Sequence, residues 1–302
     1  MLSDTKSETQ QPQPKIKKAP PRPAKPQRLK SNSIMSTPTR SKRGIGWPWD
    51  KPASHFKLYQ PYTSSGKISW VFNWELWAPA SLPPELEWIP CVRTAGNAKD
   101  ADAFLSDIIL NRGLAVSALL GFNEPEIPEQ ANLSVETASD LWRRIVIPAK
   151  RKFNLRLGSP GMSSDVSRSK PWLSKFLASL NGEDGIDFLV VHWYGPRFAD
   201  MRTFLEDMHS TYNLPVWVNE FACSSMGQGE ATQDEVESFI REALPWLDQC
   251  EWIERYAYFG NAQGRDVGSW VGRGSMFTEA VEGAGDADVR RLSRIGEVYC
   301  EL

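Results

Sequence analysis

The sequence predicts an α/β protein, a single (β/α)8 barrel that follows a disordered, basic and proline-rich N-terminal tail. Two observations predict the barrel. After residue 43, short apolar runs alternate with longer amphipathic stretches, which is the pattern of parallel βα units. The segment 44–302 also has a length typical of this barrel. The chain has no glycine-rich phosphate-binding motif that would favour an open doubly wound sheet.

The predicted tail, residues 1–43, differs in composition from the rest of the chain. It holds seven prolines and no Phe, Trp or Tyr, and eleven Lys and Arg against two acidic residues give it a net charge of about +9. Such a segment buries too little apolar surface to offset the entropy of ordering, so we expect disorder. A solvated spacer is the simplest interpretation. The basic stretch 15–30 could instead dock on nucleic acid, acidic lipid headgroups or an acidic partner, or its prolines could bind an SH3-type domain.

Eight apolar runs in the second segment are predicted as strands, and amphipathic helices are predicted between most of them. A continuous run such as 188–191 is typical of a strand that is buried on both faces. The predicted strands are 44–47, 68–73, 88–93, 114–122, 156–159, 188–193, 216–220 and 255–259. The predicted helices are 100–111, 134–153, 171–180, 198–212, 232–248 and 288–300.

Two of these strands end in an Asn-Glu pair. Asn123-Glu124 follows the fourth strand and Asn219-Glu220 follows the seventh. Active sites of such barrels form at the carboxyl ends of the strands, so both pairs would lie at the barrel mouth. Glycoside hydrolysis needs one carboxyl group that donates a proton and one ionised carboxylate that attacks the sugar or activates water. The sequence therefore predicts that Glu124 and Glu220 are catalytic.

Polar and aromatic side chains follow the other strand ends, and we predict that they bind a sugar. A carboxamide beside the first glutamate can bond a sugar 2-hydroxyl, and a His or Tyr at the end of strand six can donate to Glu220. The flat faces of tryptophan, of which the chain has thirteen, suit the CH-rich faces of sugar rings. The predicted substrate-binding residues are Trp47, Trp49, Asn73, Trp74, Asn123, His192, Trp193, Tyr194, Tyr258 and Asn261.

Several of these residues have alternatives that the sequence leaves open. A core role is the alternative for His192 and Tyr194, and each loop tryptophan, Trp270 included, is weighed evenly between a sugar platform and core packing. Three further acidic residues lie near the same rim, and the sequence does not decide which of them supports the acid/base. They are Asp50, Glu75 and Glu126.

The remaining composition argues against metals, cofactors and a membrane span. Four cysteines and three histidines show no zinc-ligand spacing, so we predict no metal site and no cofactor. Free cysteines are expected, and one disulfide stays open if the protein is secreted. No run of 18 apolar residues exists, and the N-terminus lacks the apolar run of a secretory signal, which predicts a cytoplasmic protein.

Five segments carry a resemblance to a known family. They are 42–49, 121–126, 158–160, 191–194 and 215–222. In order and spacing they resemble glycoside hydrolase family 128, which is found mostly in fungi and bacteria. The resemblance implies a retaining (β/α)8 barrel acting on β-1,3-glucan, with Glu124 as acid/base and Glu220 as nucleophile. It also implies a secreted or cell-wall location.

The resemblance leaves the type of action open. The family contains endo- and exo-acting members, and also members that bind oligosaccharides with little turnover. A β-1,3-gluco-oligosaccharide-binding protein is therefore the alternative function. We expect a monomer whose partner is β-1,3-glucan or its oligosaccharides, with no nucleic-acid partner.

Overall fold

The computed structural model describes residues 41–262, 268–281 and 289–302. The prediction of a disordered tail falls on residues 1–40, which lie outside the described residues. One compact unit comprises Arg40–Leu302. Ser41, Lys42 and Arg43, which the sequence analysis assigned to the tail, are hydrogen-bonded parts of this unit.

The predicted α/β class is confirmed, and its centre is a curled parallel half-barrel of five strands. Each of the eight predicted strands overlaps an observed one. A three-stranded parallel sheet has the order β1-β2-β3, and the half-barrel has the order β4-β5-β6-β7-β8. The strands are β1 Gly44–Gly46, β2 Trp70–Phe72, β3 Glu87–Trp88, β4 Ala118–Leu119, β5 Arg156–Met162, β6 Phe188–Gly195, β7 Val216–Cys223 and β8 Ile253–Tyr258.

Isolated parallel bridges connect the two sheets at both ends. Cys91 bridges to Leu120 between β3 and β4, and Arg43 bridges to Tyr256 between β1 and β8. The second link includes a hydrogen bond of 2.9 Å from the Tyr256 amide to the Lys42 carbonyl. The side chain of Arg43 is buried and donates to the Tyr256 hydroxyl at 3.1 Å, so the residues just before β1 hold this junction together.

Helices follow most strands, and four of them differ from the prediction, including 100–111, which divides into an α-helix and a π-helix. The predicted helix 134–153 is continuous but widens into a π-helix before Pro148, which lacks the N–H that a regular turn would use. Pro171 lies inside α6, which begins at Val166 because the Asp165 side chain caps it. The α-helices are α1 Gln60–Ser64, α2 Ala95–Ala98, α3 Ala101–Leu105, α4 Val135–Leu141, α5 Ile147–Phe153, α6 Val166–Leu180, α7 Phe198–Tyr212, α8 Gln233–Gln249, α9 Gly268–Val271 and α10 Arg294–Glu301. Ala53–Tyr59 and Arg273–Ser275 are 3-10 helices, and Ser106–Asn111 and Trp142–Val146 are π-helices.

The last predicted helix, 288–300, is shorter than expected. Its helical part is α10, where the Ser293 side chain accepts the Gly296 amide and sets the N-terminus. The residues before Ser293 form strand β10, Arg290–Leu292, which pairs antiparallel with β9, Thr278–Ala280. Residue 288 lies outside the described residues.

The interior between the strands is filled with side chains. Phe72, Val190 and Trp217 belong to one buried cluster there, and the Trp217 ring stacks on Phe188 at 4.0 Å. The Arg255 guanidinium lies 4.5 Å from the centre of the Trp217 ring. Because the interior is packed, the polar carboxyl ends of the strands are the place where chemistry can occur. None of the helices in the described ranges is long and apolar enough to cross a membrane.

Candidate active site

The two predicted catalytic carboxylates lie together at the ends of β4 and β7. An oxygen of Glu124, an oxygen of Glu220 and a ring nitrogen of His192 all lie within 4.8 Å of one another. The side chains of both glutamates are only about one-tenth exposed, at 11% and 12%. The two carboxylates that the sequence predicted as catalytic therefore lie close together and are largely shielded from solvent.

An irregularity in β7 directs Glu220 toward this position. Val190 of β6 pairs with Trp217 and His192 pairs with Glu220, so β7 contains one extra residue between the two pairs. Such a bulge turns the following side chains relative to the neighbouring strand and is frequent beside active sites. As a result Glu220 lies next to His192 across the sheet.

The backbone of Glu124 adopts a left-handed conformation with φ of 44°. Its amide donates to the Gly161 carbonyl at 2.8 Å, which fixes this geometry against β5. A left-handed non-glycine residue costs on the order of 1–3 kcal/mol and persists only where its surroundings enforce it. Trp74, which follows β2, has the same feature with φ of 61°. The two strained residues both contribute side chains to this site.

Both oxygens of Glu220 accept a hydrogen bond from a side chain. The Trp74 indole N–H donates to Oε2 at 2.7 Å, and the Tyr194 hydroxyl donates to Oε1. Burial and the charge of Glu220 raise the pKa of Tyr194 well above its usual value, so this hydroxyl keeps its proton. Two donors on one carboxylate stabilise the ionised form and fix its orientation.

Of the two residues expected to donate to Glu220, Tyr194 does so, whereas His192 contacts Glu124 more closely than Glu220. Its Nδ1 lies 2.7 Å from Glu124 Oε1 and 3.9 Å from Glu220 Oε2. Burial alone would lower the pKa of His192, but the charge of Glu220 and the hydrogen bond to Glu124 outweigh it and raise the pKa to about 9. The side chain has the full burial of a core histidine, yet its polar edge belongs to the site.

These three groups are also close enough to one another to bind a metal ion. Their hydrogen bonds favour another use. Nδ1 of His192 is hydrogen-bonded to Glu124, and both oxygens of Glu220 already accept hydrogen bonds from Trp74 and Tyr194. Donors that converge on a carboxylate stabilise its charge in the way a cation otherwise would. The arrangement therefore suits acid–base and nucleophilic chemistry by carboxylates.

Two predicted sugar contacts, Trp47 and Tyr258, are core residues instead. Trp47 is 1% exposed, stacks on Phe56 at 3.7 Å and donates its indole N–H to a backbone carbonyl. Tyr258 is completely buried, and its hydroxyl is bonded to Ser275 and to the Cys223 amide. Neither ring has a free face for a sugar, because both pack beneath the loops that follow their strands.

The predicted carboxamides also have partners within the protein. Asn73 accepts the Glu75 amide and donates to a backbone carbonyl, so it shapes the loop after β2. Asn261 accepts a hydrogen bond from the Tyr59 hydroxyl at 2.6 Å, while its side-chain nitrogen has no hydrogen-bond partner among the described residues. Asn123 donates to Gln130 at 3.3 Å beside Glu124. Of these three carboxamides, only Asn123 directly precedes a glutamate of the site. Asn73 and Asn261 mainly stabilise loops.

The last two predicted contacts, Trp49 and Trp193, differ in exposure. Trp49 is 68% exposed in the loop after β1 and has an open indole face. Trp193 is half-buried and packs on Phe204 of α7. Strand alternation places it on the opposite face of β6 from His192 and Tyr194, which is why it lies away from the carboxylates.

Three contributors to the site were missed or left undecided by the sequence analysis. Gly161 was missed: a side-chain carbon there would lie 2.8 Å from Nε2 of His192, so only glycine leaves room for this ring. Glu75 pairs with Arg93 at 3.2 Å and accepts from Asn97, forming a charged edge beyond β2 and β3. Burial raises the pKa of Glu126, which accepts the Ser163 amide. A glycine inside a strand often marks a place where another group approaches closely, so the sequence carried a signal for the role of Gly161.

Comparisons with known proteins agree with this geometry. The family described as glycosyl hydrolase catalytic core matches residues 44–299. The alkali-sensitive linkage protein 1 of Schizosaccharomyces pombe is 28% identical over 261 residues, which is 85% of this chain and 44% of that protein. The chain thus spans less than half the length of this curated relative.

Two solved structures share the fold. A curdlan-specific exo-β-1,3-glucanase of glycoside hydrolase family 128 from Blastomyces gilchristii, in complex with glucose, is 27% identical, with a TM-score of 0.68 over 88% of this chain and 100% of that chain. A family 128 endo-β-1,3-glucanase variant from Amycolatopsis mediterranei, in complex with laminaripentaose, is 22% identical, with a TM-score of 0.63 over 86% of this chain and 99% of that chain. The resemblance to family 128 is confirmed, and this chain belongs to the glycosyl hydrolase catalytic core family.

Proposed function

We propose that this protein is a retaining β-1,3-glucan hydrolase in which Glu220 is the nucleophile and Glu124 is the acid/base. The observation that carries the proposal is the close pair of carboxylates with unequal partners. Oxygens of the two groups lie within 4.8 Å, and retaining enzymes separate their carboxyl groups by about 5–5.5 Å. Inverting enzymes need roughly 6.5–9.5 Å to admit a water molecule.

The unequal partners support the assignment of roles. Glu220 accepts hydrogen bonds from Trp74 and Tyr194, which orient its carboxylate as a nucleophile must be oriented. Glu124 shares a hydrogen bond with His192, a group that can itself carry the proton. Glu220 would attack the anomeric carbon while Glu124 protonates the departing O3 oxygen. Glu124 would then take a proton from the water that hydrolyses the glycosyl-enzyme.

The fold and the relatives support the remaining parts of the proposal. We propose that β1 to β8 form one closed (β/α)8 barrel, and the bridges of Cys91 with Leu120 and of Arg43 with Tyr256 support closure. The substrate class, β-1,3-glucan, is supported by the two family 128 structures, whose described activities are exo- and endo-β-1,3-glucanase. We further propose that residues 44–302 act as a monomer.

Hydrolysis of linear β-1,3-gluco-oligosaccharides, followed by proton NMR from the first minutes, tests the proposal. The first product should carry the β-anomer at its new reducing end, and the Glu220→Gln variant should lose turnover while still binding the oligosaccharides. Glu183→Gln, an exposed carboxylate in the turn after α6, is the matched control and should leave turnover unchanged. An initial α-anomer would exclude retention. Binding without turnover in the unaltered protein would favour the oligosaccharide-binding alternative.

A further inference from the structure

Beyond the carboxylates, two exposed apolar side chains lie on neighbouring loops. Met226 is 46% exposed in the loop after β7, and Trp270 is 47% exposed in α9. The Trp270 ring lies against Gly227, the residue after Met226, because a side-chain carbon added at Gly227 would lie 3.7 Å from Cε3 of Trp270. We call Met226, Gly227 and Trp270 the Trp270 ledge. Single exposed apolar residues are common, but two on adjoining loops form a patch that needs an explanation.

The backbone of the ledge is fixed by hydrogen bonds and by unusual conformations. The hydroxyl of the buried Ser224 accepts the Met226 amide at 2.9 Å and donates to the Trp270 carbonyl. Met226 and Gly227 are both left-handed, with φ of 53° and 82°. A left-handed methionine is strained, and such strain persists only where the surroundings enforce it. The fold therefore holds Met226 and the Trp270 ring toward solvent, although burial would be the usual fate of both.

A second set of close approaches joins the same two loops. Gly272 has a φ of 84°, and a side-chain carbon there would meet Glu230 at 3.0 Å. A side-chain carbon at Gly274 would collide with the Ala231 carbonyl. The Arg273 amide also donates to Glu230 at 3.1 Å. These contacts join the segment after β7 to the segment that carries Trp270, so the ledge is a rigid surface.

The position of the ledge relates it to the catalytic pair. Ser224 directly follows β7, four residues beyond Glu220 on the same strand end. At about 3.3 Å per residue this places Ser224 roughly 13 Å from Glu220 along the strand direction. Ser224, which holds the backbone of the ledge, thus lies beyond the sugar that Glu220 attacks. A chain of several sugar units extending from the carboxylates could reach the ledge.

We propose that the Trp270 ledge is a distal subsite that binds a β-1,3-glucan chain whose reacting sugar lies between Glu124 and Glu220. The inference rests on the proposed function. The exposed indole face supplies the electron-rich surface on which the CH groups of a sugar ring pack, and Met226 extends that surface with a polarisable side chain. The ledge would make the enzyme prefer long chains over short ones, because short substrates end before they reach Trp270.

Steady-state kinetics on linear β-1,3-gluco-oligosaccharides of increasing length tests this inference. Trp270→Ala should raise KM for the longest oligosaccharides roughly tenfold, with kcat unchanged. The kcat/KM for the shortest hydrolysed oligosaccharide should stay as in the unaltered protein. Trp270→Tyr should restore much of the loss, since it returns an aromatic face. Leu110→Ala, which alters another exposed apolar residue, in the helical segment Ser106–Asn111, is the control and should change neither constant.

Each outcome separates the ledge from the catalytic proposal. An equal loss at every length, or no loss at any length, would overturn the ledge while the hydrolase proposal stands. If the unaltered protein shows no turnover, calorimetric titration with the same oligosaccharides replaces kinetics. Affinity that rises with length and falls in Trp270→Ala would then support the ledge although hydrolysis fails. Absence of both turnover and binding would overturn both proposals.

Discussion

The Nδ1 atom of His192 lies 2.7 Å from Oε1 of Glu124, inside a site where the imidazole is completely buried. Because the pKa of His192 is raised to about 9, the pair holds a proton at neutral pH that an exposed histidine would have released. If Glu124 is the acid/base, as we propose, the proton that it must donate would be stored one hydrogen bond away from it.

Replacing this histidine should change the pH dependence of both stability and activity. The unfolded chain releases the proton near pH 6.5 and the folded protein near 9, so this contribution to stability is complete below pH 6.5 and is lost as the pH rises through about 9. His192→Asn should flatten the decline of Tm between these values and lower kcat about tenfold or more. His209→Asn, which alters a histidine stacked on Trp252, should keep the decline. An unchanged slope in the His192 variant would contradict this account.

The indole N–H of Trp74 should matter for catalysis through Glu220 alone. Trp74→Phe keeps an aromatic ring against Phe259 but removes a hydrogen bond to a charged group, which is worth about 1.5–3 kcal/mol. If that bond holds Glu220 for attack, kcat should fall roughly 10- to 150-fold. Tm should fall as well, because a part-buried hydrogen bond is lost. Trp172→Phe removes an indole hydrogen bond to the Leu133 carbonyl and serves as the control. Equal kcat values for the two variants would remove Trp74 from this role.

The sequence predicted the parts of this site that depend on strand ends, and it missed those that depend on side-chain direction. Glu124 and Glu220 were found because each ends a buried strand, and parallel strands gather their ends at one rim. Trp47 and Tyr258 also end strands, but their rings turn under the loops, where local sequence carries no information about the packing. The bulge in β7 was equally invisible, because register is set by the pairing of strands distant in sequence.

A methyl group at Gly161 should disturb the site without touching a carboxylate. The added carbon would lie 2.8 Å from Nε2 of His192, and the buried ring would have to move away from Glu124. Such overpacking typically costs about 1–3 kcal/mol, so Gly161→Ala should lower Tm and reduce kcat together. Gly96→Ala is the control, because its added carbon meets only Thr94 at 3.5 Å on an exposed turn. Full activity of Gly161→Ala would show that His192 tolerates displacement.

Arg43 anchors the N-terminal end of the described fold, so truncations that keep or remove it should differ in stability. Arg43 is 3% exposed, and its guanidinium donates to the Tyr299 carbonyl and the Tyr256 hydroxyl and lies 3.4 Å from Asp248.

Removing residues 1–40 should leave Tm unchanged, because the hydrogen bonds of Lys42 and Arg43 remain. Removing residues 1–43 should destabilise the fold by about 1–3 kcal/mol for each buried acceptor that loses the guanidinium, which are the Tyr299 carbonyl and the Tyr256 hydroxyl. Arg43→Ala should reproduce most of that loss, whereas Arg291→Ala, which breaks an exposed ion pair with Glu279, should cost under about 1 kcal/mol. Equal Tm values for the two truncations would mean that β1 is held to β8 by other contacts.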